Sequence, residues 1–163
     1  MFLLTSCLND SNDTSTYYGD TAITAFTLGT LNRYTHVKTS TGKDSTYKTT
    51  LTGSSYYFYI DQVNKTIYNP DSLPIWTDNS KVVCTITSKN GGLIYSKSLK
   101  SDSIFYHNSS DSVDFSQPRT FYVYATDGSG YRQYTIKVNV HQELSDTFVW
   151  HKISTNSTIA AFT

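Results

Sequence analysis

The sequence predicts an all-β domain, an antiparallel sandwich of seven or eight strands. Three observations point there. Aromatic residues make up 15% of the chain, fourteen of them tyrosine, while Glu143 is the single glutamate, so side chains suited to a half-buried pleated surface outnumber good helix formers. Short runs alternate apolar and polar residues with period two. Glycine, asparagine and aspartate turn signals separate those runs at the spacing expected of a sandwich or barrel.

Ile23-Thr24-Ala25-Phe26-Thr27-Leu28 opens the domain. Strand-like segments follow at Leu31–Thr39, Tyr47–Leu51 and Ser54–Ile60, with Thr41-Gly42-Lys43-Asp44 and Thr52-Gly53 as turns. Tyr56, Phe58 and Ile60 then share one face, which sends Tyr57 and Tyr59 to the other. From Ile67 to Thr77 the chain carries Pro70 and Pro74, which cannot donate to a ladder, and a long connecting loop is expected. Lys81–Thr87 places Val82, Cys84 and Ile86 together, and Asn90-Gly91-Gly92 signals a turn before Leu93-Ile94-Tyr95. Last comes the most regular pattern. Phe121, Val123 and Ala125 alternate with Tyr122 and Tyr124, Asp127-Gly128-Ser129-Gly130 turns the chain, and Tyr134, Ile136, Val138 and Val140 alternate with polar residues, which reads as a β-hairpin.

A chain of 163 residues is the size of one domain with a tail at each end. The sandwich is expected over residues 20–141, and residues 142–163 read as a linker and the start of a following domain, because Phe148-Val149-Trp150 begins a new apolar run. The net charge is zero and lysines and arginines are scattered, so nucleic acid is not an expected partner. Two cysteines, Cys7 and Cys84, allow one disulfide at most, and Cys84 reads as a buried thiol on its strand. No apolar run approaches the roughly 20 residues of a membrane-spanning helix.

Leu4-Thr5-Ser6-Cys7 resembles a bacterial lipobox, in which a diacylglyceryl cysteine becomes the first residue after cleavage. The resemblance implies a signal-peptide remnant at 1–6 and a lipidated Cys7 followed by a flexible tether over 7–19. The stretch Leu8 to Thr16 has almost no apolar content and cannot join a core. Upstream of the motif the basic region and the full apolar stretch of such a signal are missing. Asp10 and Asp13 are weakly similar to a surface-export signal of some Gram-negative lipoproteins.

From about Asp20 to Trp150 the chain resembles Bacteroidetes-type lipoproteins of unknown function. The segments that carry this are Ile23 to Leu28, Tyr59-Ile60-Asp61-Gln62 with Thr66 to Pro74, Val113 to Pro118, and Tyr122 to Gly128. In that group an N-terminal immunoglobulin-like or cadherin-like sandwich is followed by a β-propeller-like domain, and no catalytic residues are assigned. The resemblance implies an immunoglobulin-like sandwich in an outer-membrane lipoprotein, facing the periplasm or the surface.

No acid, base and nucleophile set emerges from the spacing. His36, His107, His141 and His151 form no metal-binding or triad motif and read as solvent-facing, so neither a metal nor a cofactor is expected and the chain is not expected to be an enzyme. Asp102, Asp111, Asp114 and Asp127 read as turn caps, the alternative being a calcium site for which a compact acidic run is missing. Phe115 reads as a core plug. Trp76 on its proline-framed loop, with Tyr57 and Tyr59, is the candidate ligand-stacking set, because exposed aromatics pack on the apolar faces of pyranose rings; the alternative is that Trp76 plugs the end of the sandwich. The expected function is therefore a non-catalytic spacer or interaction module of the cell envelope, with a glycan-binding module of a nutrient-uptake system as the alternative. Its expected partners are the membrane, through the lipid on Cys7, and a glycan or protein, with the chain acting as a monomer.

Overall fold

The computed structural model describes residues 20–142. They form β1 (Ile23–Leu28), β2 (Thr30–Lys38), β3 (Asp44–Thr52), β4 (Tyr59–Asp61), β5 (Thr66–Tyr68), β6 (Thr77–Asp78), β7 (Val82–Ser88), β8 (Leu93–Lys97), β9 (Ile104–Tyr106), β10 (Ser112–Val113), β11 (Arg119–Tyr124) and β12 (Tyr131–Lys137). One layer is the six-stranded sheet β4-β5-β12-β11-β8-β9. The other is the sheet β1-β7-β10, which runs through Gly29 into the sheet β3-β2-β6. The expected all-β sandwich is what the chain forms. Its segments exceed the seven or eight expected because several ladders are two or three residues long. The expectations for Cys7, the tether, His151 and Phe148 to Thr163 fall outside the described residues.

Period two decides which side chains fill the space between the layers. Phe26, Leu28, Val82, Cys84 and Val113 from one layer meet Ile67, Ile94, Phe121, Val123, Tyr134 and Ile136 from the other, all buried. Phe115 plugs the core as expected, edge-on to Phe26 and stacked on Phe121 with centroids 6.5 Å apart. Removing this much apolar surface from water is the main stabilising term, at about 25 cal/mol per Å².

Two expectations need correction. Ser54–Ile60 is not one strand: Gly53–Ser55 is a 3-10 turn, and regular pairing starts at Tyr59. The turn is forced where Gly53 presses on the β1–β2 junction, since a Cβ there would lie 2.2 Å from the Gly29 carbonyl oxygen. Where the loop was expected to begin, Thr66–Tyr68 is a strand lying between β4 and β12, parallel to β12, with Ile67 fully buried. Leu73, also buried, bridges Val140 in the same sense. Pro70 and Pro74 flank these pairings and break none of them, since neither occupies a ladder position. The turn expected at Asn90-Gly91-Gly92 is present, with Asn90 at φ 54° and Gly91 at φ 70°, and it carries the chain from one layer to the other.

Two polar knots, each anchored on a buried side chain, Tyr134 or Asn69, fix the ends of the domain. The Tyr134 hydroxyl donates to Gln62 Oε1 at 2.7 Å and accepts from the Ile23 amide at 3.3 Å, while Gln62 Nε2 donates to the Ile23 carbonyl. At the other end the Asn139 amide N–H donates to Asn69 Oδ1 at 2.7 Å, Asn69 Nδ2 donates to the Asn139 carbonyl and Asn139 Nδ2 to the Asn69 carbonyl. Buried donors and acceptors are thereby satisfied, which an apolar interior requires.

Candidate functional site

Register assigns every strand position of the six-stranded sheet to a face. Opposite the buried set Ile67, Ile94, Phe121, Val123, Tyr134 and Ile136 stand Tyr59, Tyr68, Tyr95, Tyr106, Tyr122, Tyr124 and Tyr131, half of the chain's fourteen tyrosines. Strand pairing then sets ring against ring. Tyr106 meets Tyr95 edge-on at 5.7 Å, Tyr95 meets Tyr124 at 5.3 Å, and Tyr124 meets Tyr131 at 5.1 Å with the planes tilted by 37°. Tyr122 lies 5.6 Å from Tyr131. The result is a continuous row of rings over β9, β8, β11 and β12, ending in Tyr106 and Tyr131, which are 61% and 59% exposed.

Beside the row, Tyr59 and Tyr68 make their own edge-on pair at 5.6 Å. Next to Tyr68 lies a hollow of about 290 Å³ lined also by Thr66, Pro118, Thr135, Lys137 and Asn139. Gln133 and Thr120 supply further uncharged polar groups at strand positions of the same face. Lys97 is held by Asp102 at 2.7 Å. Asp61 accepts from the Val63 and Asn64 amides, both at 2.9 Å, and these bonds, that of Asn64 first, hold its carboxyl below the usual carboxylate range.

The sequence-predicted stacking set divides between two places. Tyr57, 70% exposed, and Tyr59 line a groove of about 620 Å³ together with Thr24, Phe26, Ser54 and Gln62. Trp76 lines a different depression, of about 420 Å³, with Asn79, Ser116, His141 and Gln142. It is half-buried, its ring is edge-on to His36 at 5.5 Å, and its φ of 67° is unusual for so large a residue. The Tyr34 amide N–H, donating to the Trp76 carbonyl at 3.0 Å, holds that turn against β2.

The expected turn caps are present at Asp114 and Asp127, whose carboxylates accept from the Ser116 and Ser129 amides at 2.9 and 2.8 Å. Among the described residues no three of His, Cys, Asp and Glu gather as metal ligands. One histidine departs from the solvent-facing expectation. His107 is buried, edge-on to Phe121, with Nε2 at 3.2 Å from the Cys84 carbonyl oxygen and 3.8 Å from Cys84 Sγ. Removal from water pulls its imidazole below the ordinary histidine value, against the Cys84 carbonyl and Asp111, which pull it up. Burial likewise pushes the Cys84 thiol up to about 12, so it stays protonated at neutral pH and is no nucleophile. Arg119, also buried, donates to the Lys97 carbonyl at 2.7 Å and the Asp114 carbonyl at 3.1 Å while its Nε has no partner.

Tyr122 and Tyr124 were readable as outward-facing, and Tyr59 likewise. Tyr95, Tyr106, Tyr131 and Tyr68 were not assembled with them. Period two in Leu93-Ile94-Tyr95 carries the missing signal, since Ile94 inward implies Tyr95 outward, but the sequence does not say that β8 lies beside β11. Among the described residues no helix is long and apolar enough to cross a membrane. No curated protein and no solved structure matches the chain. Residues 26–138, most of the sandwich, match the model of one family, and the chain belongs to it: domain of unknown function (DUF6242), N-terminal domain.

Proposed function

We propose that this chain is a non-catalytic interaction module of the bacterial cell envelope, an immunoglobulin-like sandwich anchored in the outer membrane by lipid on Cys7, whose working surface is the tyrosine face of the six-stranded sheet. The observation that carries the reading is the unbroken row of phenol rings from Tyr106 to Tyr131. Tyrosine combines a large apolar ring, a polar tip and few rotatable bonds, so a surface built from it binds at low cost in side-chain entropy. The lipobox-like Leu4-Thr5-Ser6-Cys7 supplies the anchor, two or more acyl chains being what stable attachment needs. The polar stretch after Cys7 gives the module reach from the membrane.

Hydroxyl-radical footprinting of the anchored protein on intact cells, against the purified chain, tests the working surface. Tyr106 and Tyr131 are expected to be protected on cells while Tyr47 and Tyr57, exposed elsewhere, label equally in both; equal labelling of all four would sink the assignment. For the anchor, wild type is expected to partition into detergent with a lipidated mass beginning at Cys7, and Cys7→Ala to stay in the aqueous phase.

A further inference from the structure

We infer that the tyrosine face takes an uncharged polysaccharide, laid across β9, β8, β11 and β12. The inference deepens the interaction-module reading and rests on it. Phenol rings present π faces to the apolar C–H faces of pyranose rings, while phenol hydroxyls, threonine hydroxyls and an amide accept and donate to sugar hydroxyls. This face holds both kinds of group side by side: the rings of the row, and Thr66, Thr135 and Gln133 next to them.

Electrostatics select an uncharged ligand. Of the charged strand positions on the face, Lys97 is neutralised by Asp102 at 2.7 Å and Asp61 is engaged by the Val63 and Asn64 amides. Lys137 remains, at the margin of the hollow. The net charge of zero gives no overall attraction for an anionic polymer, and one lysine on the face makes no basic track along which to lay one. An uncharged ligand is the electrostatic complement of an uncharged row.

Dimensions agree. Successive centroids lie 5.7, 5.3 and 5.1 Å apart, comparable with the length of one pyranose unit in an extended chain. At a strand spacing of about 4.8 Å, the four strands put the ends of the row about 14 Å apart, the reach of a short oligosaccharide. Tyr124 and Tyr131, tilted by 37°, are the pair nearest a common plane and form the stacking floor; Tyr106 makes the terminal contact.

Affinity electrophoresis of the full chain tests the inference, with hydroxyethylcellulose, xyloglucan, galactomannan and amylopectin as uncharged probes and polygalacturonate as the acidic one. At least one uncharged polymer is expected to retard the protein, independently of salt. Tyr124→Ser/Tyr131→Ser, checked for an unchanged fold by circular dichroism, is expected to bind about tenfold more weakly or worse, the loss of two ring contacts. Tyr47→Ser, away from the row, is expected to bind as wild type. Retardation by polygalacturonate alone, an undiminished double variant, or no retardation by any uncharged probe would each overturn the inference. If the footprint of Tyr106 and Tyr131 still appears on cells in that last case, the interaction module stands and its ligand is a protein.

Discussion

The β2–β3 ribbon keeps register from Thr30↔Thr52 to Lys38↔Asp44, a longer ladder than that of β11–β12, which runs from Arg119↔Ile136 to Tyr124↔Tyr131. Yet β3 buries none of its residues, whereas every second residue of β11 is buried. Beyond Leu31 and the partly buried Leu51 at its base, the ribbon is half-buried over residues 32–35 of β2, where β6 and the Trp76 turn lie against it, and the rest is held by backbone pairing and by the suitability of threonine for extended chain. The β11–β12 hairpin has one face sealed in the core and the other carrying tyrosines. Ladder length and contribution to stability are therefore separate properties: the shorter pair organises the domain, and the longer one is an appendage.

Truncating the core side of the hairpin against the surface of the ribbon is the sharpest test of that contrast. Phe121→Ala, which empties a fully buried ring site, is expected to cost about 3–5 kcal/mol in urea unfolding. Tyr47→Ala on the ribbon is expected to change stability by about 0.5 kcal/mol or less. Equal losses would mean that the ribbon is part of the cooperative core.

Tyr134→Phe probes the polar side of β12 at intermediate strength. It removes the hydroxyl that the Ile23 amide and Gln62 share and leaves both without that partner, with an expected loss of about 1–3 kcal/mol. A neutral result would show that the knot holding β1 is replaceable by water.

Acid titration gives the smallest effect. The folded state lowers the His107 pKa, so below the ordinary histidine value near 6.5 the unfolded chain binds a proton that the folded chain resists. His107 therefore withdraws stability as pH falls from neutrality through that value towards its lowered folded one, before the carboxylates of Asp114 and Asp127, themselves held below their usual range, begin to protonate. Thermal unfolding followed from pH 7.5 to 5 is expected to show a falling midpoint in wild type and a flatter profile in His107→Gln. An unchanged slope in the variant would remove His107 as the cause.

The same contrast explains what the sequence could disclose. Where one face of a strand excludes water, as with Phe121 and Val123 or Tyr134 and Ile136, alternation is strict and both element and orientation are readable. Thr66–Tyr68 is too short to alternate visibly, and its neighbour β12 lies far along the chain in parallel, so nothing local announces it. His107 offered no local sign of burial either, because Cys84 and Phe121, which enclose it, come from β7 and β11. For the site, the outward tyrosines of β11 were legible, and the continuity of the row was not: it depends on the β8–β9 and β8–β11 registers, which join segments that no pattern within either one specifies.

The position of β12 sets a timetable for synthesis. This strand lies inside the six-stranded sheet, with β5 on one side and β11 on the other, and it is the last strand of the described chain to be made. Until it emerges from the ribosome, β4–β5 is a two-stranded fragment separated from β8, β9 and β11, and such a fragment is marginally stable in water. Long-range pairings of this kind form slowly, because loop closure precedes any reward from contact. The six-stranded sheet can thus close only when nearly all of the described chain has been translated, so its two halves wait on the last strand to join them.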